Sequence, residues 1–262
     1  MDLSLKDKVA IVTGSSKGLG FSIAGLMLAE GARVVINGRD EKVLEDARNK
    51  LAGREDKLMA VAGDVSEEKV AKGIVTRTLE KFGTIDILIN NAGVALASTV
   101  SQTSLEDWNN CMKLNSTGVF LLTREVVKFM GKNRVPGSIV NVSSTAGLTG
   151  IAMACAYSAA KGAVVAFTKS LAKELAGMGI NVNCVCPGAM DTDLFQKDTI
   201  DFLAEKYNMG REKLIQSTLD VIPLKRLLDP AEVADLVVYL ASDRARGITG
   251  QAYSISCGME IR

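Results

Sequence analysis

Short runs of apolar, mostly β-branched residues, bounded by glycine or polar positions, alternate along most of the chain with longer stretches of helical period. Val9 to Thr13, Arg33 to Asn37, Leu58 to Ala62, Ile85 to Asn90, Ser138 to Val142, Asn181 to Cys186 and Ala252 to Ser256 predict seven strands. Most are apolar at every position rather than at alternate ones, as in strands covered on both faces within a parallel sheet. Between them, Gly20 to Glu30, Glu41 to Lys50, Glu67 to Lys81 and Tyr157 to Ala176 predict helices, with Asp40 and Ser66 where N-caps belong and acids following them. The strand–helix rhythm and the right-handed crossover rule give an α/β fold: a doubly wound, mostly parallel seven-stranded sheet with helices on both faces. One domain spanning 1–262 is expected, with no internal repeat or low-complexity linker. The segment from Ala189 to Leu228 breaks the rhythm. It is acidic, dotted with aromatics (Asp191, Asp193, Phe195, Asp198, Phe202, Tyr207) and reads as irregular. It follows a strand end, where ligands of open sheets bind, so it is expected to be a substrate lid over about 189–228.

Composition narrows the chemistry. The 262 residues include no histidine, which excludes an imidazole base for serine or cysteine catalysis, the two-His zinc motifs and the carboxylate-His metal triads. No metal site is expected, and a proton carrier has to be Tyr, Lys, Cys, Asp or Glu. Lys plus Arg number 31 against 30 for Asp plus Glu, a formal net charge of +1, so no global field draws the chain to nucleic acid or anionic lipid. The five cysteines, Cys111, Cys155, Cys184, Cys186 and Cys257, show no C-x-x-C spacing, and fit reduced thiols in a cytoplasm better than a disulfide framework. The first eight residues lack the layout of a signal peptide, and no apolar run approaches the roughly 18 residues of a membrane span. A cytoplasmic, soluble protein is the expectation.

The first strand runs into Thr13-Gly14-Ser15-Ser16-Lys17-Gly18-Leu19-Gly20 and then a helix, the setting a phosphate-cradling loop requires. Gly14 permits the tight turn, Gly18 lets backbone approach a pyrophosphate, Gly20 allows close helix packing, and the helix N-terminus favours negative charge. The end of the second strand, Ile36-Asn37-Gly38-Arg39, bears on which dinucleotide is held, because an acid there would accept from a ribose 2′-hydroxyl whereas a base suits a 2′-phosphate. Positions 36 to 38 hold no acid, and Arg39 with Lys17 is placed to bracket a 2′-phosphate. Asp40 could instead accept from the ribose, but it reads more naturally as an N-cap. NADP(H) is therefore expected in preference to NAD(H).

Further along come Gly63-Asp64-Val65, Asn90-Asn91-Ala92-Gly93, Asn115 within a helix, Ser143-Ser144, Tyr157-Ser158-Ala159-Ala160-Lys161 and Pro187-Gly188. In this order and context, the motifs resemble the short-chain dehydrogenase/reductase family in its compact single-domain subtype, from about Leu5 to Gly258. The resemblance implies a Rossmann-type fold, a homotetramer, and cofactor contacts from the Ser16-Lys17-Gly18-Leu19 turn. It further implies Asp64 and Val65 flanking the adenine, Asn91, Ala92 and Gly93 beside the adenosine ribose, and Pro187, Gly188, Met190 and Thr192 fixing the carboxamide. Where the family often ends in Asp-Gly-Gly, this chain has Ser256-Cys257-Gly258, which weakens any inference about a C-terminal subunit contact.

Tyr157 and Lys161 supply the proton carrier that the missing histidine could not. Four residues apart on a helix, they share a face, where an ammonium is expected to lower the phenol pKa from about 10. Tyr157 would protonate a carbonyl oxygen as hydride arrives, or act as base in the reverse direction, with Ser144 holding the same oxygen. The resemblance adds that Lys161 binds the nicotinamide ribose and that Asn115 positions a water leading from Lys161 to solvent. The reaction expected is interconversion of a ketone and a secondary alcohol. The substrate's surroundings, Leu96, Ala146, Leu148, Met153, Met190 and Phe195, carry no cation to clamp a carboxylate or phosphate, pointing to an uncharged, mainly apolar ketone. A 3-oxoacyl substrate on a carrier protein ranks second, because family members of that activity often carry Arg where this chain has Met178. A non-catalytic NADP-binding scaffold or sensor is the rival from another class, opposed by the intact Asn115, Ser144, Tyr157 and Lys161. An epimerase or dehydratase of the longer subtype lacks room for its additional domain. The helices Gly118 to Met130 and Ala159 to Ala176 are apolar on more than one face, which a single sheet contact does not need.

Overall fold

A computed structural model describes residues 2–51 and 56–260; the side chains of Asp198 and Tyr207 also lie outside the described residues. Strands β1 (Val9–Val12), β2 (Arg33–Gly38), β3 (Leu58–Ala62), β4 (Ile87–Asn90), β5 (Gly137–Val142), β6 (Ile180–Pro187) and β7 (Ala252–Ile255) form one seven-stranded sheet in the order β3-β2-β1-β4-β5-β6-β7. Every pairing is parallel. Each expected strand is present, with ends shifted by at most two residues. β1 and β4 are buried at every position, which is why they carry no polar alternation.

The helices are α1 (Gly18–Ala29), α2 (Glu41–Lys50), α3 (Glu68–Phe82), α4 (Leu105–Met112), α5 (Gly118–Asn133), α6 (Ala146–Thr149), α7 (Cys155–Leu175), α8 (Asp193–Phe195), α9 (Phe202–Tyr207), α10 (Arg211–Val221) and α11 (Pro230–Ala241). One core layer packs residues of α1 and α11, such as Ile23, Met27, Val233 and Val237, on one face of the sheet. The other packs Ile74, Leu122, Met130 and Leu175 of α3, α5 and α7 on the opposite face. No helix among the described residues is long and apolar enough to cross a membrane.

Asp40 caps α2, its carboxylate accepting from Val43 N. Ser66 does not cap α3: the N-cap residue is Glu67, and both the backbone N–H and the hydroxyl of Ser66 donate to Asp64 Oδ1, at 2.9 and 2.6 Å. The tight turn after β3 has claimed that hydroxyl. The 189–228 segment is also not irregular, since α8, α9 and α10 and a π-turn at Gln196–Asp201 run through it. Its two ends are stitched together by a short parallel bridge between Met190 and Leu228, with Leu228 N donating to Ala189 O and Asp191 N to Leu228 O.

Candidate active site

The strand order reverses direction between β1 and β4, so the connections leaving their C-terminal ends part and leave a crevice. Thr13 pins its floor: its Oγ1 accepts from the backbone N–H groups of Asn91 and Ala92, at 3.0 Å each. Asn91 Nδ2 donates to the carbonyls of Thr13 and Gly14 at 3.0 and 3.1 Å. Gly14 turns through φ +61°, and a Cβ there would stand 2.7 Å from Ala92 Cα, while one on Gly20 would lie 2.4 Å from the Gly14 carbonyl oxygen. The loop is thus held against β4 at van der Waals contact, and α1 opens on the cleft with no side-chain cap and no acid in its first turn. Its first amides have no intrahelical acceptors, which suits an anion.

The second half of the site comes from β5 and α7. Ser144 follows β5, and its Oγ accepts from Ala146 N at 3.1 Å. Tyr157 and Lys161 lie on the face of α7 that meets it, the Lys161 ammonium 5.8 Å from the Tyr157 ring centroid. Lys161 is only 4% exposed and donates to the Val142 carbonyl at 3.0 Å. Asn115 sits in a one-turn π-helix, Lys113–Thr117, between α4 and α5, a distortion common at functional sites. Its Nδ2 donates to Val94 O and Cys111 O, and its Oδ1 accepts from Val94 N, at 3.0, 2.9 and 3.2 Å. A Cβ on Gly93 would meet both Asn115 Oδ1 (2.7 Å) and Lys161 Nζ (3.3 Å), so the three residues form one junction. Beneath it lie the thiols of Cys184 and Cys186, 3.8 Å apart on β6.

The electrostatics depart from the sequence expectation. Burial raises the Tyr157 phenol to about 12, over a lowering hydrogen bond from Ser144, and burial also drops Lys161 to about 8. The shared helix face is there, but Lys161 spends its ammonium on Val142. Withdrawal from water then governs both groups and opposes charge on each.

At the adenosine end, Arg39 is exposed and takes part in no ion pair among the described residues, and Asp40 is occupied by its cap. Asn37, fully buried, donates to Val61 O and Gly63 O and so fixes the β2–β3 edge of the cleft. Val65 lines the cleft, whereas the Asp64 carboxylate is turned onto Ser66. Lys17 lines the cleft with its ammonium 3.4 Å from Asp193 of the 189–228 segment.

The cleft encloses about 680 Å3 and is bordered by Gly14, Ser16, Lys17, Gly18, Leu19, Arg39, Val65, Asn91, Ala92, Gly93, Ser144, Tyr157, Lys161, Pro187, Gly188, Met190 and Thr192. Gly20, Asp64 and Asn115 stand behind this wall. Of the residues expected around the substrate, Leu96, Met190 and Phe195 border the cleft. Ala146 is instead buried in the α6 turn, Leu148 packs against the Val119–Val164 cluster, and Met153 is partly exposed. Ile151, Ala154, Leu203, Leu214 and Val221 take their place. Those of them that come from the 189–228 segment, Leu203, Leu214 and Val221, are not visible in the sequence because the segment's helices are not. The charged residues of the wall are Lys17, Arg39, Lys161 and Asp193, so the region around Leu96, Ile151 and Leu214 is apolar.

Comparison with known proteins places these features in context. The family model described as Enoyl-(Acyl carrier protein) reductase matches residues 14–260. The chain is 38% identical over 258 residues to a 3-oxoacyl-[acyl-carrier-protein] reductase of Synechocystis sp., covering 98% of each. Among solved structures it is similar to an actinorhodin polyketide ketoreductase variant solved with NADPH, at TM-score 0.91 and 33% identity, covering 97% of each chain. It is also similar to the 3-ketoacyl-(acyl-carrier-protein) reductase of Brucella melitensis complexed with NADH, at TM-score 0.88 and 32% identity, covering 98% of this chain and 100% of that one.

Proposed function

The chain belongs to the short-chain dehydrogenase/reductase family, an oxidoreductase that binds a nicotinamide dinucleotide and reduces a ketone, and from that premise we propose that it prefers NADP(H) and acts on an uncharged, mainly apolar ketone. The observation that carries this reading is the placing of Ser144 and Tyr157 on the wall of an apolar cleft whose other end is a glycine-lined, uncapped helix start beside Arg39. When bound, the dinucleotide supplies the hydride. Gly14 and Gly93 let the loops that would hold it close against their neighbours in the chain, Arg39 and Lys17 offer cations to a 2′-phosphate, and Lys161 lies at the junction where the nicotinamide ribose is expected. Val65, the Asn91–Gly93 stretch and Pro187–Thr192 would complete its bed.

Ser144 donates to the substrate carbonyl oxygen and Tyr157 delivers a proton to that oxygen. A phenol held near 12 keeps its proton at neutral pH, the form that can donate to a carbonyl oxygen. Asn115, locked by three hydrogen bonds, holds the Val94 backbone and would orient the water that returns a proton to Lys161. A second reading, reduction of a 3-oxoacyl group carried as a thioester, is supported by the activities of the relatives just described. We further infer a homotetramer built on α5 and α7: Phe120 is 44% exposed, stacks edge-on to Phe167 at 6.5 Å and lies under Arg124, an apolar arrangement that a lone chain leaves in water. A reducing compartment, the cytoplasm, suits the adjacent Cys184 and Cys186 thiols.

The test is NADPH oxidation with a panel of cyclic and aryl ketones and 3-oxoacyl thioesters, by the wild-type chain and by Tyr157→Phe. Turnover of the apolar ketones is expected, falling by about 10²–10⁴-fold in Tyr157→Phe with NADPH binding retained. Faster turnover of the acyl-carrier thioesters transfers the assignment to the second reading. Near-normal activity of Tyr157→Phe removes that residue from the proton-transfer step.

A further inference from the structure

Lys17, one of the two cations read as partners of a 2′-phosphate, holds a carboxylate of the chain itself. Asp193 opens α8, the first helical turn after the Met190–Leu228 bridge. Its two carboxylate oxygens divide between Lys17, 3.4 Å from Oδ2, and Lys197, 3.3 Å from Oδ1. The lid lies directly on the phosphate loop at this point, where a Cβ on Gly18 would stand 3.5 Å from Thr192 Cγ2. The pair is largely exposed, 60% for the Lys17 side chain and 45% for Asp193, and such ion pairs are weak. The nearby ammonium groups, Lys197 foremost, hold the Asp193 carboxyl below the usual range, so it is a full anion at neutral pH.

We propose that Asp193 is a specificity-determining residue for the cofactor: a built-in competitor for Lys17 that a 2′-phosphate displaces and a 2′-hydroxyl does not. This rests on the NADP(H) preference proposed for the same cleft. A phosphate monoester carries about −1.5 to −2 charges and three strong acceptor oxygens, against one charge on a hydrated carboxylate, so it takes Lys17 together with Arg39. The displaced carboxylate keeps Lys197, its partner within the lid, which lowers the cost of the exchange. A dinucleotide without the phosphate leaves the Lys17–Asp193 pair intact. Asp193 therefore holds NADPH affinity below what Lys17 and Arg39 alone would give, while leaving NADH nearly untouched.

Equilibrium titration of the full chain with NADPH and NADH, followed by nicotinamide fluorescence, tests this apart from catalysis. Asp193→Asn is expected to tighten NADPH about three- to fivefold, with NADH changing less than twofold, consistent with the size of exposed ion pairs. In a Lys17→Met background the same substitution is expected to change neither. Lys197→Met, which leaves Asp193 wholly to Lys17, is expected to weaken NADPH about twofold. An unchanged NADPH-to-NADH affinity ratio in Asp193→Asn, or the same shift in the Lys17→Met background, overturns the proposal. The underlying reading fails separately: a wild-type chain that binds NADH more tightly than NADPH refutes the NADP(H) preference itself, and the competitor role with it.

Discussion

At the scale of single residues, the same burial that assembles the site sets its titration. Lys161 has a folded pKa of about 8 against about 10.4 in an unfolded chain. Between those values the unfolded chain binds more protons than the folded one, so stability rises with pH across that window. Tyr157 acts in the opposite sense: with a folded pKa of about 12, the folded chain keeps a proton that the unfolded chain loses above about 10, and stability falls from there towards pH 12. Urea denaturation at pH 7.5 and 9.5 should show the wild type gaining roughly 2 kcal/mol relative to Lys161→Met. An equal pH response in the two chains would show that Lys161 is not desolvated as described. Tyr157 and Lys161 stand out in the sequence through their helix spacing, a local property, and Ser144 and Asn115 through the order of motifs shared with the family. The sign of the Tyr157 shift does not, because helix spacing records which face a residue shares and says nothing of the water removed when α7 docks. The hold of Ser66 on Asp64 Oδ1 is likewise a product of the folded turn after β3 and leaves no mark in the sequence.

At the scale of elements, strands are legible through their unbroken apolar character, and most of the deviations fall at their ends. The 189–228 segment reads as irregular because its helices lie over a cleft rather than a core. α10 buries no residue fully, so its sequence carries no clear apolar stripe for the helical period to reveal. α11 is the contrasting case. Asp229 and Glu232 form a reciprocal capping box around Pro230 at the first helical position, and Arg226 grips Glu232 with both guanidinium arms at 2.7 Å. The helix then buries Val233, Val237 and Val238 against the sheet and α1. Asp229→Ala removes an acceptor from that start and should cost about 1 kcal/mol, a fall of roughly 2–4 °C in Tm for a domain of this size. A scanning calorimetry trace that does not move would mean that Glu232 and Pro230 nucleate the helix without it.

At the scale of the whole molecule, the parallel, doubly wound character of the sheet follows from the strand–helix alternation, whereas its order and the crevice between β1 and β4 emerge only in the fold, and the face left over on α5 and α7 shows only as surplus apolar surface. Light scattering of the purified chain should report four copies, and Phe120→Glu, which places a charge against Phe167, should shift the population to smaller species. A monomeric wild type would mean that this face is not a subunit contact. The Met190–Leu228 bridge bears on how this architecture diversifies. Because it brings the entry and exit of the 189–228 segment together at one point, everything between behaves as a cassette plugged into a fixed socket. Lengthening such a segment costs little closure entropy and strains no strand. The proposed reaction centre on α7 and the proposed dinucleotide bed on β1 and α1 can therefore stay constant while the cassette is exchanged, and new substrates come within reach without refolding the rest.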